Sequence, residues 1–333
     1  MPDGSVATRE LLRDAEARLA GGGVPSPAFD AAELLAHVLG TTRPQLGLVT
    51  EVAPEHVAAF DALVVRRAAR EPLQHLIGTA WFRYVTVDVG PGVFVPRPET
   101  ELLVGWAVDE CRRRSSSERQ EFRRSSSERQ RAYRDQGLDL DTGAARLTRS
   151  TGDTGAARLT RSTVGPVVVD LCTGSGVIAK AIAQEVPMAT VHAVELDPAA
   201  HEWATRNLEG SGVDLRRGDM AEAFHDLDGQ VDVITCNPPY IPLEAWESVA
   251  PEAREHDPDL ALFSGEDGLD AIRVLEAVAA RLLRPGGVVG AEHADAQGES
   301  APAVFSTSGR WREVRDHLDL AGRPRFLTAR LAT

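Results

Sequence analysis

Val167-Val168-Val169-Asp170-Leu171-Cys172-Thr173-Gly174-Ser175-Gly176 is the stretch on which the fold turns. Its apolar opening reads as a strand over Val167 to Asp170, its small and polar end as a loop, and Val177 to Gln184 beyond it as a helix. Outward from this unit the alternation repeats, with a strand over Val191 to Glu195, a helix over Pro198 to Leu208 and a strand over Val231 to Cys236. A helix over Leu269 to Leu283 and a strand over Gly287 to Glu292 follow. Strands alternating with helices of this length predict an α/β domain on a doubly wound, mostly parallel, Rossmann-like sheet.

The loop also carries chemistry. Gly174 and Gly176 let the backbone approach a ligand where the loop opens onto a helix N-terminus. Glu195 ends the next strand 19 positions after Gly176, a spacing suited to a carboxylate that accepts both hydroxyl hydrogens of a ribose. A dinucleotide loop needs a third glycine, and here that place falls at Ile178 or beyond. A nucleoside with an amino-acid tail, S-adenosylmethionine, therefore fits better than a nicotinamide or flavin dinucleotide. Asp219 and Met220, in Arg217-Gly218-Asp219-Met220 after the third strand, suit an adenine: Asp219 to accept from its amine, Met220 to pack on the ring. A plain turn aspartate is the other reading of Asp219.

Asn237-Pro238-Pro239-Tyr240 leaves the strand Val231 to Cys236. Proline fixes φ and pushes the preceding residue out of the helical region, so this turn has little freedom. A stiff array of the Asn237 amide and nearby carbonyls suits holding a planar NH2 group, an amide or an exocyclic amine, with its nitrogen aimed at an electrophile. An ordinary Pro-rich loop is the bland alternative. In a doubly wound sheet the first and fourth strands flank the switch point, so the Gly174 loop and Asn237 are expected to open into one crevice.

Length and composition set the frame. At 333 residues about two domains are expected. A formal net charge of −14 argues against a protein that coats nucleic acid. Cys111, Cys172 and Cys236 form neither a disulfide framework nor a CxxC metal pattern, which points to a reducing, cytoplasmic setting and no metal. No export signal and no run of about 18 apolar residues is visible, so no membrane role is expected. Residues 1–75 read as a helical module with apolar stripes over Thr8 to Leu19, Phe29 to Leu39 and Pro54 to Ala69. Residues 76–98 read as a β-hairpin connector with its turn at Gly90-Pro91-Gly92, and 99–333 as the α/β domain. Within it, 112–163 contains two perfect tandem repeats, Arg113 to Gln120 again at Arg123 to Gln130 and Thr142 to Thr151 again at Thr154 to Thr163. Rich in Ser, Arg, Thr and Gly, this segment buries too little apolar surface to order and is expected to be a disordered insertion.

These residues resemble the HemK/PrmC family, the protein-(glutamine-N5) methyltransferases of peptide chain release factors. The resemblance rests on Glu71 to Gly78, Phe94-Val95-Pro96-Arg97-Pro98-Glu99-Thr100-Glu101, Asp170 to Gly176, Asn237 to Tyr240 and Glu292-His293, and covers nearly the whole chain outside 112–163. It implies a class I methyltransferase fold and methylation of the glutamine in the Gly-Gly-Gln motif of class 1 release factors, without direct nucleic-acid binding. It also implies that Cys172, Thr173, Gly174, Ser175 and Gly176 line the methionine end of S-adenosylmethionine. Glu195 would hold the ribose, Met220 would sit at the adenine, and Asn237, Pro238, Pro239 and Tyr240 would grip the substrate glutamine. The N-terminal helices would help dock the release factor. Cys172 stands where the family often has glycine, and Met220 where an aromatic is frequent. The expected chemistry is positional: the Asn237 side-chain oxygen and the Pro238 carbonyl accept from the glutamine NH2, and neither His75 nor His293 is needed as a base. Two other readings remain, a nucleic-acid amino-methyltransferase acting on adenine N6 or guanine N2, and a non-catalytic S-adenosylmethionine-binding module.

Overall fold

The computed structural model describes residues 5–115 and 165–332. Strands β1 (Val6–Ala7) and β2 (Glu51–Val52) pair antiparallel beside the helices α1 (Thr8–Gly21), α2 (Pro27–Val38) and α3 (Pro54–Ala68). Proline at the first turn of α2 and of α3 brings a φ already suited to a helix start, where its missing N–H leaves no bond unmade. Leu19, Leu34, Leu35, Phe60 and Val64 form the core of this bundle. A short helix that the periodicity did not mark, α4 (Leu73–Ile77), adds Leu73 and Leu76 to that core and stops at Gly78, which takes φ +78°.

Strands β3 (Thr79–Phe82) and β4 (Val85–Asp88) form the connector hairpin. Its turn is not at Gly90-Pro91-Gly92, which bends the chain beyond β4, but at Arg83-Tyr84. Arg83 takes φ +50°, an unfavourable region for a side-chain-bearing residue. Distant partners hold it there: its N–H donates to Glu101 Oε1 (3.0 Å), and its guanidinium donates to both Glu185 oxygens (2.7 and 2.8 Å). Helix α5 (100–115) follows. Residues 112–115, expected to begin the disordered insertion, continue this helix, with Cys111 buried and Arg114 donating to the Gly286 carbonyl (2.9 Å). The rest of the repeat segment lies outside the described residues.

The main sheet comprises β5 (Val167–Leu171), β6 (Thr190–Glu195), β7 (Asp214–Arg217), β8 (Val231–Cys236), β9 (Leu283–Glu292), β10 (Trp311–Leu318) and β11 (Pro324–Leu331). Its order is β10-β11-β9-β8-β5-β6-β7, parallel from β9 to β7, with β11 and β10 added antiparallel. Helices α6 (Val177–Glu185), α7 (Pro198–Leu208), α10 (Asp270–Leu282) and α11 (Ser300–Thr307) cover it, and α8 (Pro251–His256) and α9 (Asp259–Leu262) sit in the segment after β8. The period-2 alternation of strands divides the apolar residues between two cores. Val168, Val233 and Val288 join one core with the hairpin, α5, α6 and α7, while their neighbours Val169, Ile234 and Val289 join the other with α10 and α11. A sheet covered on both faces explains why its strands read as continuous apolar runs. This is the expected α/β, Rossmann-like, doubly wound architecture, preceded by a small helical bundle and a β-hairpin. Because β5 lies between β6 and β8, the switch point falls at the carboxyl ends of β5 and β8.

Candidate active site

Outside those strand ends lies a cavity of about 730 Å³. Cys172, Thr173, Gly174 and Ser175 line it from the loop after β5, Glu195 from the end of β6, Asp219 and Met220 from the loop after β7, and Asn237, Pro239 and Tyr240 from the loop after β8. Gly176 and Pro238, the two remaining residues of the sequence reading, do not line it.

The β5 loop is built by alternation of handedness: Cys172, Gly174 and Gly176 have φ of +56°, +56° and +81°. The two glycines serve different ends. A Cβ on Gly174 would meet nothing within 4 Å, so this is the bare stretch of backbone in the wall, whereas a Cβ on Gly176 would lie 3.0 Å from Leu208 Cγ, so Gly176 lets α6 and α7 approach. Cys172 occupies a left-handed position, which accounts for the suitability of glycine there, and its sulfur lies 3.7 Å from Met220 Sδ. Behind the loop, Asp170 is fully buried and accepts from Thr173 Oγ1 (2.5 Å) and Thr235 Oγ1 (2.8 Å). Burial pushes its carboxyl up to about 7 despite these donors.

Glu195 Oε2 accepts from the Gly174 amide (2.7 Å) and Oε1 from the Asp197 amide (2.9 Å), which fixes the carboxylate across from the loop. Burial shifts it upward, opposed by those amides. Asp219 uses Oδ1 to accept from the Ala221 amide (2.9 Å), an Asx turn spanning Met220, which lines the cavity beside it.

At β8 the Asn237 amide nitrogen donates to Thr100 Oγ1 (3.4 Å), and Thr100 donates to the buried Glu292 Oε2 (2.6 Å). Tyr240 donates to the other oxygen of Glu292 (3.3 Å). Burial pushes Glu292 up to about 6 and also raises Tyr240. The backbone of the turn is held from outside: the buried Gln297 side chain donates to the Tyr240 carbonyl (3.0 Å), and a Cβ on Gly268 would collide with the same oxygen. Sequence reasoning assigned no role to Thr100, Gln297 or Gly268. Thr100 and Glu292 did lie within the two motif stretches Phe94 to Glu101 and Glu292-His293, a signal without a mechanism.

The cavity continues to the helical bundle, where Ser26, Phe29, Arg67, Arg70 and Leu73 line it. Glu252 of α8 closes this end as a clasp, accepting from Arg67 Nη2 (3.0 Å) and from Arg70 Nε and Nη2 (2.7 and 2.5 Å). His75 and His293 do not line the cavity. Among the described residues no group of three or more His, Cys, Asp or Glu side chains could hold a metal ion, and no helix is long and apolar enough to cross a membrane.

Comparison with known proteins matches residues 10–78 to the PrmC N-terminal domain and residues 168–256 to a methyltransferase domain. A release factor glutamine methyltransferase from Streptomyces coelicolor is 52% identical over 325 residues, covering 96% of this chain and 97% of its own. The chain belongs to the release factor glutamine methyltransferase family. A second relative of that name, from Mycolicibacterium smegmatis, is 41% identical over 323 residues, covering 96% of each chain. A protein from Streptomyces pristinaespiralis named 4-amino-L-phenylalanine/4-methylamino-L-phenylalanine methyltransferase is 38% identical over 306 residues, covering 91% of this chain and 88% of its own.

Proposed function

We propose that this chain transfers the methyl group of S-adenosylmethionine to the side-chain amide nitrogen of the glutamine in the Gly-Gly-Gln motif of class 1 release factors. The observation that carries the reading is a single cavity walled by the Gly174 loop and Glu195 on one side, by Asn237 and Tyr240 on another, and by residues of the N-terminal helices at its far end. The pocket residues suit the cofactor. Gly174 leaves bare backbone, Glu195 is a fixed buried carboxylate for a ribose diol, and Leu196, Ile178 and Met220 give apolar walls for a base, with Asp219 beside them. Cys172, Thr173 and Ser175 face the amino-acid tail; Gly176 acts indirectly, by setting the loop against α7.

When bound, the sulfonium supplies an electrophilic methyl group whose carbon–sulfur bond breaks as the carbon–nitrogen bond forms, leaving a neutral thioether. The substrate amide nitrogen is a poor nucleophile because its lone pair is delocalised, so the residues of this chain contribute orientation. Asn237 Oδ1, on the cavity wall, accepts an NH2 hydrogen, and Pro239 and Tyr240 flank the flat amide; Pro238, expected to offer its carbonyl as a second acceptor, lies outside the cavity wall and contributes by stiffening the turn. Orientation of this kind supplies up to about 7 to 11 kcal/mol of a barrier. The methylated nitrogen is acidic and releases its proton to water, so no side-chain base is required.

Methyl-labelled S-adenosylmethionine is incubated with the full chain and, separately, a class 1 release factor, its Gly-Gly-Gln glutamine variant, total RNA and 4-amino-L-phenylalanine. Label is expected on the wild-type factor and lost with the glutamine. Label on RNA or on the free amine alone overturns the assignment.

A further inference from the structure

We propose that Glu292 is a positioning residue that sets which way the Asn237 amide faces, so that the site reads an NH2 group and rejects a carbonyl or carboxylate. The inference deepens the reading above and rests on it for the identity of the substrate. It is carried by a chain of hydrogen bonds with only one consistent direction. Glu292 is 1% exposed at the end of β9, and an ionised carboxylate only accepts. The Thr100 hydroxyl has one proton, and its 2.6 Å contact with Glu292 Oε2 has the length of a charge-assisted O–H bond. With that proton committed to Glu292, the Thr100 oxygen can only accept, and the partner it accepts from is Asn237 Nδ2 at 3.4 Å. The amide nitrogen of Asn237 is thereby turned to the protein and its carbonyl oxygen is left for the cavity. An acceptor there pairs with a substrate amide nitrogen and repels a substrate oxygen.

The same carboxylate also receives Tyr240 on Oε1 (3.3 Å), so one buried group orients two residues of the turn. The charged and titratable groups facing it are Arg325 from β11, Glu99 before α5 and Tyr240 itself, with Arg97 facing Tyr240. A neutral glutamine at 292 has one accepting oxygen for the two donors Thr100 and Tyr240; when its NH2 faces Thr100, the hydroxyl proton is freed for Asn237 Oδ1 and the amide can turn over.

Glu292→Gln tests this. Affinity for S-adenosylmethionine, measured by calorimetry, is expected to stay within about twofold of wild type, while kcat on the release factor falls on the order of 10²-fold, the cost of a misplaced reacting group. The release factor carrying glutamate in place of the motif glutamine should become a better competitive inhibitor of the variant than of wild type. Wild-type kcat should decline as pH falls through about 6, where Glu292 takes up a proton, and this limb should vanish in the variant. Thr100→Val should reproduce the kcat defect and Thr100→Ser recover it. A readout independent of substrate is the side-chain NH2 resonance of Asn237, assigned by its loss in Asn237→Asp, which should shift with pH in wild type and not in Glu292→Gln. An unchanged kcat in both Glu292→Gln and Thr100→Val, or an Asn237 resonance insensitive to pH and to Glu292→Gln, overturns the proposal. A wild-type protein that leaves the release factor unlabelled sinks the substrate reading instead, and the resonance still decides the role of Glu292.

Discussion

Asp170→Asn isolates the electrostatic cost of the loop that walls the cavity. Asp170 is fully buried at the end of β5, and burial pushes its carboxyl from 3.8 up to about 7 against the pull of Thr173 and Thr235. A rise of about 3 units corresponds to about 4 kcal/mol of differential stability. The folded pKa is raised, so the folded state binds the extra proton. The associated stability is fully present below about 3.8 and is lost as pH rises through about 7. Between pH 5 and 8.5 this one group should therefore cost the wild type about 3 kcal/mol. Asparagine has the same shape and does not titrate; its amide nitrogen donates to one threonine oxygen and its carbonyl accepts from the other, so the tether to the loop survives. Urea unfolding of both proteins across that pH range gives the difference directly, because Glu292 and Asp257, each raised to about 6, contribute equally to both and cancel. The expected difference changes in favour of the variant by about 1.4 kcal/mol per pH unit below pH 7 and then levels. Two stability curves parallel within about 0.5 kcal/mol would refute the assignment of a buried, proton-binding Asp170.

Glu252→Gln removes the clasp between α8 and α3. Burial raises this carboxyl, but Arg70 and Arg67 outweigh it and hold it at about 2, a drop of roughly 2.5 units or about 3 kcal/mol, which solvent screening reduces to about 2 kcal/mol. Its pKa is depressed, so the stability is present above about 4.5 and lost as pH falls toward 2; a denaturation midpoint at pH 7 unchanged by the substitution would contradict it. Asn237→Ala should lower kcat by at least about 10²-fold while calorimetry finds S-adenosylmethionine affinity nearly intact. Gly268→Ala forces a side chain into φ +76° and against the Tyr240 carbonyl, so thermal unfolding should report a loss of about 2 to 4 kcal/mol, together with loss of methyl transfer.

What the sequence made legible was local. The strand Val231 to Cys236 and the helix starts at Pro54 and Pro198 carry their signals within a few residues, and the structure has those elements with those starts. Where a distant partner decides the outcome, local reading fails. The hairpin turns at Arg83 rather than at the glycines because Glu101 and Glu185 hold a left-handed arginine. The β10–β11 hairpin escaped notice because its edge strand β10 alternates charged residues with few apolar ones, as an edge facing water does. Gly174 and Gly176 are indistinguishable in sequence, yet one faces open space and the other Leu208. The stiffness of Asn237-Pro238-Pro239-Tyr240 was ascribed to its prolines, which is half of the cause. Prolines restrict the turn's own dihedrals, but the direction in which Asn237 and Tyr240 point depends on Thr100, Glu292, Gln297 and Gly268, lying 137 residues before to 57 after the turn residue each one meets. A turn rigid by itself could present either face of its amide; only the accept-only carboxylate at the end of β9 selects one, and that selection is a property of the assembled sheet.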